Sequence, residues 1–168
     1  AMLCCSLVGT GITGYASTNV REAQLVEIGE EYKLQTTFDE SVMYETAHYW
    51  VRLKSADAGA YVFWTSTGSE DDFAFPLVYR SITAAESCDL NSVLDIEGMI
   101  FDEKDETKIG LVYNLTANRS YYVDVVNINY DDEFTEPEVT FSINTHTHTY
   151  KNYSYPADTE DDGETGKM

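Results

Sequence analysis

The sequence predicts an all-β protein, an antiparallel jelly-roll-like β-sandwich of about 8–10 strands with an extended N-terminal segment. Three observations carry that expectation. Val139, Phe141 and Ile143 alternate with Glu138, Thr140, Ser142 and Asn144, the period-2 mark of a strand with one face in a core. Tyr121, Val123 and Val125 repeat the pattern, leaving Tyr122 and Asp124 on the outward face. Short strand-like runs with polar turns between them fill most of the remaining chain, and no segment holds a helical period over about three turns.

Residues 1–20 read as an extended, apolar and glycine-rich segment, a possible donated strand. Its start, Ala1-Met-Leu-Cys-Cys-Ser-Leu-Val8, is too short to span a bilayer and lacks the basic flank of a complete signal peptide. Gly9, Gly11 and Gly14 formally match a dinucleotide-binding fingerprint, but β-like runs follow where a helix would have to receive the pyrophosphate. They read instead as flexible linkage. Strands are expected at 22–28, 32–38, 48–53, 60–66, 73–79, 93–101, 109–113, 121–128 and 139–144, within a sandwich domain covering 21–155. A short helix is expected at 82–88, where Thr83, Ala84, Ala85 and Glu86 cluster. The acidic tail, 156–168, has almost no apolar residue and reads as solvated.

With 168 residues and 43% apolar content the chain suits one domain with a sizeable core. Thirty Asp and Glu against ten Lys and Arg give a formal net charge of -20, which argues against nucleic acid or an anionic membrane surface as partner. Its natural counter-ions are cations. The acidic runs around Asp71 and Asp72, Asp102 and Asp105, and Asp131 and Asp132 lie in expected loops, where carboxylates and backbone carbonyls together could supply the oxygens that Ca2+ takes. Each run alone is ordinarily just solvated. In the tail, Asp158, Glu160, Asp162 and Gly163 imitate the first half of an EF-hand loop, but no bidentate glutamate follows.

Asn114, Asn118 and Asn152 stand in N-x-S/T sequons, and the thirteen tyrosines resemble the surface composition of extracellular β-proteins. Cys4, Cys5 and Cys88 are an odd number, so at least one thiol is left over. A bridge from Cys88 to Cys4 or Cys5 would contribute on the order of 4 kcal/mol by closing a long loop; three thiols are the alternative. His146 and His148 share one face of an extended run and could begin a metal site, or simply be solvated, with His48 the remaining histidine. No nucleophile elbow, metalloprotease helix or phosphate loop occurs. Trp50, Trp64, Tyr122 and Tyr130 could form a sugar-stacking platform, although on a sandwich such residues more often belong to the core.

His48-Tyr-Trp-Val-Arg-Leu53, Ala58-Gly-Ala-Tyr-Val-Phe63 and Ser92-Val-Leu-Asp-Ile96 leading into Asp102-Glu-Lys-Asp105 form a recognisable series. It continues through Leu115-Thr-Ala-Asn-Arg-Ser-Tyr-Tyr-Val123 and closes at Val139-Thr-Phe-Ser-Ile143. In pattern, this stretch resembles the bacterial pre-peptidase C-terminal domain and the related collagen-binding modules. The resemblance implies a non-catalytic sandwich, stabilised in some members by calcium. The expected function is therefore that of a non-catalytic protein outside the cell or on its surface. It would be a homo-oligomeric or polymeric subunit in which Leu3, Cys5, Leu7, Val8 and Ile12 dock into a neighbour by β-augmentation. The alternative is a secreted, calcium-dependent accessory module that binds polysaccharide or matrix protein.

Overall fold

The computed structural model describes residues 12–14, 19–38, 46–55, 57–70, 72–129 and 138–147. Two β-sheets face each other as a sandwich. The first runs in the order β1 (Ile12–Gly14), β3 (Glu31–Gln35), β11 (Glu138–Thr145), β6 (Gly59–Ser66), β9 (Lys108–Leu115), β8 (Gly98–Phe101). The second runs β2 (Gln24–Val26), β5 (Thr46–Lys54), β10 (Ser120–Asn129), β7 (Asp72–Tyr79), with β4 (Thr37–Phe38) also pairing with β5. One helix, α1 (Ile82–Glu86), follows β7.

Alternation sets the core. Tyr32, Leu34, Phe63, Leu111, Tyr113, Phe141 and Ile143 of the first sheet meet Tyr49, Val51, Leu53, Val78, Tyr121, Val123 and Val125 of the second in one buried cluster. Phe63 is fully buried in it, edge-on to Tyr113 with ring centroids 5.2 Å apart. Two polar groups also cross between the sheets: the Tyr113 hydroxyl donates to the Pro76 carbonyl at 2.6 Å and the Thr65 hydroxyl to the Ala74 carbonyl at 2.6 Å. Burial accordingly pushes the Tyr113 phenol well above its ordinary pKa, with the nearby Tyr79 a smaller cause.

The sandwich departs from pure antiparallel pairing at two places, β1 with β3 and β2 with β5. β2, in the second sheet, lies between β1 and β3 in the sequence, so the two strands that pair in parallel in the first sheet are not consecutive. The expected strand at 32–38 is likewise two strands in different sheets, hinged at Thr36, which is fully buried. The expected strand at 22–28 begins as a 3-10 turn over Val20–Glu22 and reduces to β2. That at 93–101 reduces to an isolated bridge between Val93 and Tyr79, followed by β8.

α1 ends in a Schellman motif: the Asp89 N–H donates to the Ala84 carbonyl and the Cys88 N–H to the Ala85 carbonyl, with Cys88 at φ 48 where glycine is usual. Ser81 caps its start by accepting from the Ala84 N–H. The helix and the turn at Val20–Glu22 cover part of the second sheet's outer face, where Val20, Trp50, Tyr79 and Ala85 form a smaller core. An Arg21–Glu86 ion pair joins these two covering elements.

Gly110 shows how tightly the outer face of the first sheet is packed. A Cβ there would lie 2.7 Å from Val62 Cγ2 and 2.9 Å from two ring carbons of Trp64, over whose ring Lys108 Nζ stands at 5.1 Å from the centroid. Gly110→Ala is expected to destabilise the protein by about 1–3 kcal/mol through this overlap. Thermal unfolding checks it, and an unchanged midpoint would mean that the indole swings aside freely.

Candidate functional site

The most concentrated polar chemistry in the fold lies on the covered outer face of the second sheet. Thr46, His48 and Trp50 alternate on one side of β5, and β10 places Asp124 opposite Trp50 and Val126 opposite His48. His48 therefore reaches Asp124 diagonally, with Nδ1 2.9 Å from both carboxylate oxygens, and its Nε2 lies 2.6 Å from the Thr46 hydroxyl. With the proton on Nδ1, facing the carboxylate, Nε2 accepts from Thr46.

The alternation in β10 puts Asp124 on the outward face. It does point to the outer side of the sheet, but it is 0% exposed, as is His48. The residue sequence carries a signal for this. Ala47-His-Tyr-Trp-Val51 contains no residue of the kind a solvated face alternates in, and such a run belongs to a strand covered on both sides. Tyr79, on the same face, has its phenol pushed above the ordinary value by burial first and by the Asp124 charge second. The Tyr79 hydroxyl and Trp50 Nε1 are buried without a hydrogen-bond partner.

A carboxylate, an imidazole and a hydroxyl in this order resemble the relay that activates a nucleophile. Thr46 is only 5% exposed, however, so its hydroxyl is largely enclosed in the fold. The chemistry that the geometry supports is cohesion: a charge-assisted hydrogen bond tying the two central strands of the second sheet.

The second feature is the open edge at β8, which pairs only with β9 among the described residues. Met99 and Phe101 stand opposite Leu111 and Ile109, on the face that builds the core. Yet they are 51% and 62% exposed, and the neighbouring Ile96 is 49% exposed. The reason is the unequal width of the sheets. β7, the last strand of the second sheet, packs over β6 and β9, so β8 overhangs it. Glu97 and Asp102 flank this short apolar edge.

At the opposite edge of the same sheet, Ile12 pairs with Tyr32 in β1. Leu3, Cys5, Leu7 and Val8 lie outside the described residues. Gly14 belongs to β1 and not to the start of a helix.

Of the calcium candidates, Asp71, Asp131 and Asp132 lie outside the described residues. Asp72 begins β7. Asp102 and Asp105 share the turn between β8 and β9, each closing a local bond: Asp102 accepts from the Lys104 N–H at 2.8 Å, and Asp105 from the hydroxyl and N–H of Thr107 at 2.6 and 3.1 Å. No group of three or more potential ligands converges among the described residues.

The Thr107 hydroxyl, then its N–H, holds the Asp105 carboxyl below its ordinary pKa. A depressed folded-state value stabilises the turn above the ordinary carboxylate range, and that stabilisation is lost as pH falls through the depressed value. Thr107→Val is expected to move the Asp105 titration midpoint back up, as followed by carboxyl NMR; an unmoved midpoint would assign the shift elsewhere.

Asn114 is exposed on β9 and Asn118 is exposed in the following turn at φ 53, while Asn152 is not among the described residues. Cys88 is half-buried with its thiol 3.6 Å from the Ala85 carbonyl; Cys4 and Cys5 are not described. His148 and Tyr130 are likewise outside. Trp50 is a core residue, Tyr122 packs beside it, and Trp64 is half-buried against Gly110 and Lys108, so these rings do not form one platform. No described helix is long and apolar enough to cross a membrane. Comparison with protein-family models and with curated proteins returns no match.

Proposed function

We propose that this chain is a non-catalytic structural protein of the cell exterior, a subunit of a cell-surface or filamentous assembly whose neighbours join by donation of the N-terminal segment. One observation carries the reading. β1, which residues 1–11 precede in the sequence, and the open apolar edge β8 are the two opposite edges of one six-stranded sheet.

Five strand spacings of about 4.8 Å separate those edges by roughly 24 Å. An extended segment of residues 1–11 reaches at most about 39 Å. Adding it alongside β8 of a neighbour would satisfy that strand's free backbone groups and set Leu3, Cys5 and Leu7, which alternate as an inward face, beside Met99 and Phe101. Donor and acceptor are different surfaces, so the contact is heterologous and repeats head to tail without needing to close. Exposed Asn114 and Asn118 are compatible with an exterior location.

The test is solution size by light scattering. The full chain is expected to form large particles, and a chain lacking residues 1–11 but retaining β1 is expected to stay monomeric. Equal particles from both chains would contradict the reading.

A further inference from the structure

At one end of the second sheet, three separate segments line an open cleft of about 400 Å3 that includes Arg80, Ser81, Asn91, Ser92, Asp95 and Arg119. Antiparallel pairing of Tyr79 with Tyr122 brings the residue leaving β7, Arg80, close to the start of β10, which Arg119 immediately precedes. The Val93–Tyr79 bridge and the Leu94 N–H to Val78 carbonyl bond, 2.8 Å, bring 91–95 against the same strand end.

The walls are fixed by bonds of their own. Arg119 is held through its carbonyl by the Ser55 N–H, and the preceding Asn118 N–H bonds back to the Ser55 carbonyl. Asp89 accepts from the Ser92 hydroxyl and from the backbone and side chain of Asn91. These bonds, with Ser92 the largest cause, hold the Asp89 carboxyl below its ordinary value. Ser81 accepts from the Ala84 N–H, which leaves its own hydroxyl proton available.

The two arginines are the informative residues. The chain has only ten Lys and Arg against thirty Asp and Glu, so a carboxylate partner for any arginine is easily supplied. Among the described residues the arginine and lysine ion pairs are Arg21–Glu86, Lys33–Glu138 and Lys108–Asp102. Arg80 and Arg119 take part in none of them, although Asp95 lines the same cleft. Two arginines that line one cleft and form no ion pair can recognise a planar anion there through paired N–H bonds.

The rest of the lining narrows the class. Asp95, Asn91 and Ser81 offer acceptors and donors suited to hydroxyl groups. Ala84 and Val93 are the apolar lining side chains and neither presents an aromatic face for a nucleobase. Asp95 and the net charge of -20 oppose a polyanion. We propose that this cleft binds a sugar acid, one carboxylate on a polyhydroxylated ring such as a uronic acid residue, with Arg80 and Arg119 on the carboxylate and Asp95 and Asn91 on ring hydroxyls. The cleft lies outside both edges used in the proposed assembly, so joining subunits would leave it open.

The experiment is a titration of the full chain and of the chain lacking residues 1–11 with glucuronate, glucose and acetate, followed by NMR of backbone and arginine side-chain N–H groups. Glucuronate is expected to shift the resonances of Arg80, Asn91, Ser92 and Arg119 in a saturable way, and to bind at least about tenfold more tightly than glucose or acetate. R80Q and R119Q should each weaken it about tenfold or more, whereas R21Q should not. Binding of acetate as tight as that of glucuronate would overturn the sugar-acid assignment in favour of a general anion corner. Equal binding of glucose, an undiminished affinity in R80Q and R119Q, or no saturable shift at the cleft would overturn it outright. The truncated chain binds even if assembly fails, which separates this outcome from that of the assembly test.

Discussion

The double substitution M99K/F101K is expected to give a folded protein that no longer assembles. Both side chains already lie largely in solvent, 51% and 62% exposed, so the folded monomer has little to lose and its stability should change by only about 0.5 kcal/mol. A strand arriving beside β8 would meet two ammonium groups in place of its apolar neighbours, and charge on an edge strand is a common natural device against pairing. The variant should run as a monomer at concentrations where the parent forms particles, with an unchanged thermal midpoint. The chain lacking residues 1–11 fails as a donor and retains β8, whereas M99K/F101K fails as an acceptor and retains the donor. Mixing the two should therefore give heterodimers that grow no further. Particles from M99K/F101K alone would show that β8 is not the acceptor.

His48→Ala is expected to cost about 3–5 kcal/mol, because it leaves the Asp124 carboxylate fully buried without the imidazole. Thr46→Val removes a neutral partner and should cost about 1 kcal/mol. Replacing both members together, H48L/D124L, removes the uncompensated charge and should recover much of the loss. Urea denaturation of the four proteins checks the series. If His48→Ala costs less than about 1 kcal/mol, the triplet is not a stabilising tie and its short distances need another explanation. The large expected value comes from burial, not from the bond itself: the same contact on an exposed face would contribute under about 1 kcal/mol.

The most legible residues are those where sequence period and core face coincide: in β11, Val139, Phe141 and Ile143 enter the main core and alternate with more polar residues. Periodicity fails where a strand changes layer or is covered twice. Thr36 looks like any strand threonine, yet the chain switches sheets at it. Asp124 obeys the alternation, but the outer face it points to is covered in the fold, where it is fully buried.

β8 illustrates a third case. Its apolar residues imply burial, and only the width of the opposing sheet shows that Met99 and Phe101 are left uncovered. The Arg80–Arg119 cleft was hidden for the same kind of reason. Each arginine is unremarkable in its own turn, and the strand register that joins 80–81, 91–95 and 119 is a tertiary fact.

Hydrogen exchange at β8 tests the assembly reading most directly. A peptide spanning residues 1–11, added to the chain that lacks them, is expected to slow exchange of the outward-facing amides within Gly98–Phe101 and to leave the edges at β2 and β7 unchanged. Unchanged exchange at Gly98–Phe101 under saturating peptide, or protection at β2 or β7 instead, would contradict strand donation to this edge.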